Sequence, residues 1–179
     1  KQVQSIKVGD PLQKDTNMGA LISNEHLAKI EYYLELAKQE GGQILCGGKK
    51  PENLPENLSN GAFIEPAVIA GLDPYTSRVV NEEIFGPVVT IHKFKTEAEA
   101  IELANSVNYG LCASVFTNNL GIAHRVADKV ETGMVWTNCW LLRDLRVPFG
   151  GAKESGVGRE GGAYSLEFYT EDKNVCIKL

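Results

Sequence analysis

Val88-Val-Thr-Ile-His-Lys-Phe94, followed by Thr96-Glu-Ala-Glu99 and an apolar-periodic run to about Val107, decides the fold. The first piece is rich in β-branched and aromatic residues, the composition of a strand. The second has the spacing of a capping box, in which a threonine and a glutamate three residues on satisfy each other's backbone amides at a helix start. Downstream, Cys112 to Thr117 reads as a strand, Leu120 to Val130 as a helix and Met134 to Thr137 as a strand. Strand and helix alternating over short connections is the order that parallel pairing with crossover helices requires. The expectation is an α/β fold built on a doubly wound, mostly parallel sheet.

Upstream, Gly9-Asp-Pro11 marks a turn and Ser23 an N-cap. The helix it opens runs to about Gln39, with Leu27, Ile30, Leu34 and Ala37 on one face, and stops at Gly41-Gly42. Gln43 to Cys46 and Phe63 to Leu72 read as strands flanking a surface loop, Lys49 to Asn60, punctuated by Pro51 and Pro55. At the far end, Ser165 to Tyr169 is a short amphipathic piece and Asn174-Val-Cys-Ile-Lys-Leu179 a last strand with nothing after it to return to the sheet.

A length of 179 residues suits one main domain with its own core. Apolar residues at 43% and charged residues at 23% are those of an ordinary soluble globule, and a net charge of -5 argues against nucleic acid as a partner. No charged leader with an apolar core opens the chain and no apolar run reaches membrane-span length, so a cytoplasmic protein is expected. Cys46, Cys112, Cys139 and Cys176 lack any Cys-x-x-Cys spacing and read as buried free thiols. His26, His92 and His124 stand far apart without paired acidic ligands, so no metal site is expected. The sequon Asn57-Leu58-Ser59 reads as accidental without a secretory signal.

Three segments carry the chemistry. Pro148-Phe-Gly-Gly-Ala-Lys-Glu-Ser-Gly-Val-Gly-Arg-Glu-Gly-Gly162 holds six glycines behind a proline and an aromatic. The others are Asn81-Glu-Glu-Ile-Phe-Gly-Pro87 and Gly133-Met-Val-Trp-Thr-Asn-Cys139. Gly156-Val-Gly158-Arg-Glu-Gly161 fits a dinucleotide fingerprint, but Lys153-Glu-Ser155, polar and non-strand, precedes it and no β-α-β unit follows. Nor is there a phosphate loop, because Val157 stands where its lysine would be.

From about Lys7 to the last residue, with these three segments in family order, the chain resembles the C-terminal part of the NAD(P)-dependent aldehyde dehydrogenases. The resemblance implies residues 1-162 as part of the catalytic domain and 163-179 as an oligomerisation segment whose last strand joins an assembly sheet. A homodimer or homotetramer is the expected assembly. The family's nucleophilic cysteine, in a Phe-x-x-x-Gly-Gln-x-Cys type segment, its general-base glutamate and its dinucleotide-binding domain all precede this part. None of them occurs in the sequence. The chain therefore reads as the back half of a longer enzyme, with no catalytic residue of its own and no dehydrogenase activity alone. A truncated, non-catalytic paralogue acting in assembly or regulation is the alternative.

By the same resemblance Glu83 and Phe85 contact the cofactor, NAD or NADP. A carboxylate accepts both hydrogens of a ribose diol, and an aromatic ring two residues on can lie against a nicotinamide. Glu82 reads as a solvated neighbour. Phe149 is either a wall of the substrate tunnel, as in the family, or a core aromatic anchoring its loop. Cys139 is read as a wall residue. Asn138 to Arg146 lies where family members vary with substrate, and its Trp-Leu-Leu-Arg-Asp-Leu-Arg run is most similar to the branch oxidising 2-aminomuconic or 2-hydroxymuconic semialdehyde. Arg143 can pair bidentately with a substrate carboxylate, or it belongs to a surface cluster with Asp144 and Arg146. Trp140 and Phe149 offer a competing aromatic box for a quaternary ammonium aldehyde of the betaine type.

Overall fold

The computed structural model describes residues Lys1–Leu179, which divide into two compact units, Lys1–Lys93 and Phe94–Leu179. In the first unit, helix α1 (Asn24–Gln39) begins where Ser23 accepts a hydrogen bond from the His26 amide. It ends before Gly41, which takes a φ of 84°. Strands β1 (Gln43–Cys46), β2 (Ala67–Ala70) and β3 (Val88–Ile91) form one sheet with β2 in the centre. Strand β2 runs antiparallel to β1, with an irregularity between Ile44 and Cys46, and parallel to β3 in the register Ala67↔Val88 to Ala70↔Ile91. The short helix α2 (Arg78–Asn81) lies on the connection from β2 to β3.

The core of this unit is the face of α1 laid on β2. Ile30, Tyr33, Leu34 and Ala37 are buried with Ile64, Ala67, Ile69 and Leu72. Ile30 and Ile69 are wholly buried, which stabilises the unit by about 1.5–3 kcal/mol each relative to exposure. The strand expected over Phe63 to Leu72 is shorter than its composition suggested. Pro66 has no amide to donate and interrupts the run after Glu65, which bonds to Gly48 and Lys49, and the ladder with β3 starts where the Ala67 amide reaches the Pro87 carbonyl at 2.8 Å.

The second unit holds α3 (Glu97–Asn105), β4 (Tyr109–Gly110), β5 (Cys112–Val115), α4 (Leu120–Lys129), β6 (Met134–Thr137), β7 (Ala152–Lys153) and α5 (Gly162–Tyr169). Strands β5 and β6 are parallel, with α4 between them in sequence, and β4 pairs antiparallel with β7. Thr96 caps α3 at the Glu99 amide, while the Glu99 carboxylate accepts from the amide of Lys95, one residue earlier than a reciprocal box requires. Asn119 caps α4. The two helices are joined by Arg125, whose guanidinium donates twice to Glu97 at 2.8 and 2.7 Å.

The α/β class holds, with mixed pairing in three short sheets. Three further findings differ from the sequence reading. Asn174–Leu179 carries no strand and is exposed, because a strand is defined by a ladder and this segment finds no partner within the chain. The thiols of Cys46, Cys112 and Cys139 are half-buried and Cys176 is exposed, so apolar neighbours in sequence did not carry them into the core. Lys153, read as non-strand, pairs with Tyr109 through β7. No helix is long and apolar enough to cross a membrane.

Candidate functional site

In the first unit, the segment from Glu82 to Pro87 leaves α2 and turns into β3. Ile84 is buried and anchors it, and the flanking residues Glu83 and Phe85 face outward, Phe85 with 76% of its surface exposed. The Glu83 carboxylate accepts no hydrogen bond within the unit. Phe85 sits at φ 65°, a left-handed conformation that costs a bulky residue about 1–2 kcal/mol and persists only where neighbours impose it. Gly86 makes the tight passage possible. A Cβ there would stand 2.4 Å from Cδ1 of Ile30 on α1.

The neighbours that impose this conformation lie on α1. The His26 Nε2–H donates to the Phe85 carbonyl at 2.6 Å and Lys29 Nζ to the Glu83 carbonyl at 3.0 Å. The Tyr33 hydroxyl donates to Glu82 Oε2 at 2.7 Å. Glu82 is therefore not the solvated neighbour that its sequence suggested. Arg78 also holds it through two guanidinium hydrogen bonds of 2.6 and 3.0 Å. Arg78, and then Tyr33, keep the Glu82 carboxyl below the ordinary carboxylate range. Donation to that anion, with burial adding to it, pushes the Tyr33 phenol up to about 12.

In the second unit, the segment after β6 is fixed by three backbone contacts. Asn138, in the left-handed region at φ 56°, brackets Thr117 by accepting from its amide and donating to its carbonyl, both at 2.9 Å. The Ser114 hydroxyl donates to the Cys139 carbonyl at 3.2 Å, and Trp136 Nε1 donates to the Leu142 carbonyl at 2.9 Å. Leu141 is also left-handed, at φ 55°. The result is a tightly turned loop that carries Trp140 and Arg143.

The glycine-rich loop is clasped where Phe149 and Glu160 exchange two backbone hydrogen bonds of 2.8 Å. Arg143 lies over the Phe149 ring, its guanidinium carbon 3.7 Å from the centroid, and pairs with Glu160 at 2.5 Å. Ring, cation and carboxylate thus form one stack, registered by the Phe149–Glu160 bridge. Phe149 is half-buried and lines two cavities. One, of about 240 Å³, also has Trp136, Leu142 and Arg143 in its wall, and the other, of about 340 Å³, has Val157, Glu160 and Phe168.

Of the expected substrate residues, the structure joins Arg143 to Phe149 and separates Arg143 from Asp144, which pairs instead with Arg146. Trp140 packs edge-on against Trp136, with ring centroids 5.1 Å apart, and the face of Phe149 carries Arg143. Cys139 is half-buried beside them in sequence, with its carbonyl engaged. Sequence reasoning missed His26, Lys29, Tyr33 and Glu160. The first three share the i, i+3, i+7 spacing of one helix flank, a signal visible in the sequence, but nothing there says which loop that flank meets.

Comparison with known proteins gives the family of the chain. Residues 1–175 match the model of the aldehyde dehydrogenase family, and the chain belongs to that family. It is 49% identical over 176 residues to a 2-hydroxymuconic semialdehyde dehydrogenase of Pseudomonas putida, covering 98% of this chain and 36% of the relative. It is 43% identical over 180 residues to the 4-trimethylaminobutyraldehyde dehydrogenase of Sus scrofa, covering 100% of this chain and 36% of that one. Among solved structures, the betaine aldehyde dehydrogenase of Staphylococcus aureus in complex with NAD+ superposes with a TM-score of 0.88 at 48% identity, over 94% of this chain and 33% of that one. The chain thus spans about a third of the length of the relatives it matches.

Proposed function

We propose that this chain supplies the nicotinamide-side contact and the substrate wall of an NAD(P)-dependent aldehyde dehydrogenase that oxidises a carboxylated semialdehyde to an acid. The observation that carries the reading is the Arg143–Phe149 stack, a cation held on an aromatic wall at the edge of a small cavity. Arg143 gives Glu160 a single hydrogen bond from Nη2, which leaves Nη1 and the second Nη2 hydrogen among the donors that can meet a carboxylate. Similarity to semialdehyde dehydrogenases over nearly the whole chain supports the same substrate class.

NAD, when bound, would supply the hydride acceptor for aldehyde oxidation. The residues of this chain would hold that cofactor, not react with it. Glu83 presents two acceptor oxygens to the ribose hydroxyls, and Phe85 offers a ring face against which the nicotinamide packs. Phe149 and Cys139 exclude water from the aldehyde's passage, and Arg143 orients the distant carboxylate so that the aldehyde end points inward. The nucleophile lies outside these residues.

Three measurements test this reading. The 179-residue chain mixed with NAD and an acidic semialdehyde should form no NADH; turnover would overturn the division of roles. In the intact protein, Phe85→Ala and Glu83→Gln should raise the KM for NAD. Arg143→Ala should raise the KM for an acidic semialdehyde roughly 10- to 100-fold, the range for a hydrogen-bonded charge, and spare a neutral aldehyde. Equal losses for both substrates would remove Arg143 from the recognition of carboxylate.

A quaternary ammonium aldehyde is the second reading. It is favoured by the exposed Trp140 packed on Trp136 and by the trimethylamino and betaine substrates named for two relatives. Arg143 repels such a substrate, so the two readings separate when acidic and ammonium aldehydes compete. For residues 163-179 we propose assembly into a homodimer or homotetramer through the exposed Val175, Ile177 and Leu179, which alternate along the tail. Deletion from Asn174 should then lower the mass of the intact protein in solution; an unchanged mass would sink the idea.

A further inference from the structure

Four side chains on one flank of α1 meet four positions of the Glu82–Pro87 segment, 82, 83, 85 and 86, in an almost reversed order. His26 donates to the Phe85 carbonyl, Lys29 donates to the Glu83 carbonyl, Ile30 packs where Gly86 leaves no room for a Cβ, and Tyr33 donates to the Glu82 carboxylate. Two of these contacts, from Tyr33 and Ile30, act on the ends of the segment. The other two grip main-chain oxygens on either side of buried Ile84. Holding both oxygens fixes the 83–84 and 85–86 peptide planes, which bound the Ile84–Phe85 pair on either side, and Phe85 is the residue held at φ 65° with its ring outward.

Without that grip the conformation has no support of its own. A phenylalanine in the left-handed region relaxes to negative φ unless something opposes it, and an apolar ring with 76% of its surface in water gains by folding back. His26 is itself prepared for the task. Its amide is tied to the Ser23 cap, so the imidazole projects from the capped first turn of a 16-residue helix.

We infer that His26 and Lys29 are positioning residues of the cofactor site, holding the backbone of Glu83 and Phe85 so that the Phe85 ring is presented before the cofactor arrives. The inference rests on the reading of Phe85 as a nicotinamide contact and adds to it a pre-organising pair that touches only main chain. Pre-organisation lowers the cost of ordering a loop on binding. Its loss should therefore appear in cofactor affinity and in the mobility of the free segment.

The test uses the intact protein and the variants His26→Leu, His26→Gln, Lys29→Met and Phe85→Ala. NAD+ affinity is measured by calorimetry, KM and kcat separately, and amide exchange over residues 82–87 in the absence of NAD+. His26→Leu and Lys29→Met should each weaken NAD+ about five-fold, the factor that one net hydrogen bond supplies. Exchange over the segment should rise by a similar factor and kcat should change less than KM. His26→Gln, which keeps a donor, should recover most of both effects. If Phe85→Ala leaves NAD+ affinity unchanged, the cofactor-site reading fails and takes this inference with it. If Phe85→Ala weakens NAD+ while His26→Leu and Lys29→Met keep both affinity and exchange, the positioning role alone is overturned. It is equally overturned if exchange rises without loss of affinity, or if His26→Gln behaves as His26→Leu. Lys29 is exposed, so Lys29→Met carries the test should His26→Leu fail to fold.

Discussion

Replacing Gly133 with alanine should be among the most damaging single-methyl additions available to the second unit. Gly133 precedes β6, and a Cβ placed on it lies 1.6 Å from the carbonyl oxygen of Gly150 and 2.8 Å from its carbonyl carbon, where 3.4 Å begins ordinary contact. Both atoms are main chain, so no rotamer change relieves the clash. One of the two backbone segments must retreat by roughly 1.8 Å, beyond what a tightly packed interior absorbs. Gly150 adjoins Phe149, which is bound to Glu160 by two backbone hydrogen bonds, so the retreat also opens that clasp. Overpacking costs about 1–3 kcal/mol in general, and a backbone-on-backbone clash with two bridging hydrogen bonds at stake belongs at about 3 kcal/mol or above. Both tryptophans, Trp136 and Trp140, lie in this unit, so urea unfolding followed by tryptophan fluorescence reports on it selectively. With a urea slope of about 1.5 kcal/mol per molar, the midpoint should fall by about 2 M. Gly121→Ala is the internal control. It lies in the first turn of α4 and its Cβ meets only side-chain atoms, at 3.2 Å, so the better helix propensity of alanine should leave stability unchanged or raised by up to about 1 kcal/mol. A Gly133→Ala midpoint within 0.5 M or so of that control would refute the steric argument.

Four further outcomes follow from the hydrogen bonds, the helix cap and the thiols. Because the Glu82 carboxyl is depressed by Arg78 and Tyr33, its contribution is full above the ordinary carboxylate range and is lost as pH falls through its lowered folded value. Glu82→Gln should flatten the acid limb of the stability profile, and an unaltered limb would exclude the network. The Tyr33 phenol, raised to about 12, carries stability that is full below about 10 and lost as pH rises toward its folded value; ultraviolet titration should show one late tyrosine that vanishes in Tyr33→Phe. Alkylation followed by mass spectrometry should label exposed Cys176 first and Cys112, whose thiol burial pushes up, late. Equal rates at all four cysteines would contradict the burial. Thr96→Ala should cost the second unit about 1 kcal/mol by removing the α3 cap, read from the same tryptophan signal.

The elements that could be read from sequence are those whose cause is local. Ser23 and Thr96 declared their helix starts because an N-cap is chemistry within four residues. Val88 to Ile91 declared itself a strand through β-branching. What could not be read depends on partners distant in the chain. Glu82 looked like a surface charge because Tyr33, which holds it together with nearby Arg78, lies 49 residues away, and Glu160 gave no sign of reaching Arg143. The ladder of Tyr109–Gly110 with Ala152–Lys153 is too short for any periodicity to register. Asn174–Leu179 has the alternation of a strand but no ladder, which shows that composition reports the capacity to pair, not pairing itself. Among the site residues, Phe149 and Arg143 were named separately, and the structure shows them to be one stack.

The hold of α1 on the oxygens of residues 83 and 85 has a consequence for redesign. The conformation of this stretch is anchored through atoms that every amino acid possesses, so the identity of the outward side chains is largely uncoupled from the shape of the loop. Libraries randomised at Glu83 and Phe85 should therefore keep their architecture, and on the proposed reading of these two residues as cofactor contacts they are a favourable place to begin altering which cofactor is accepted.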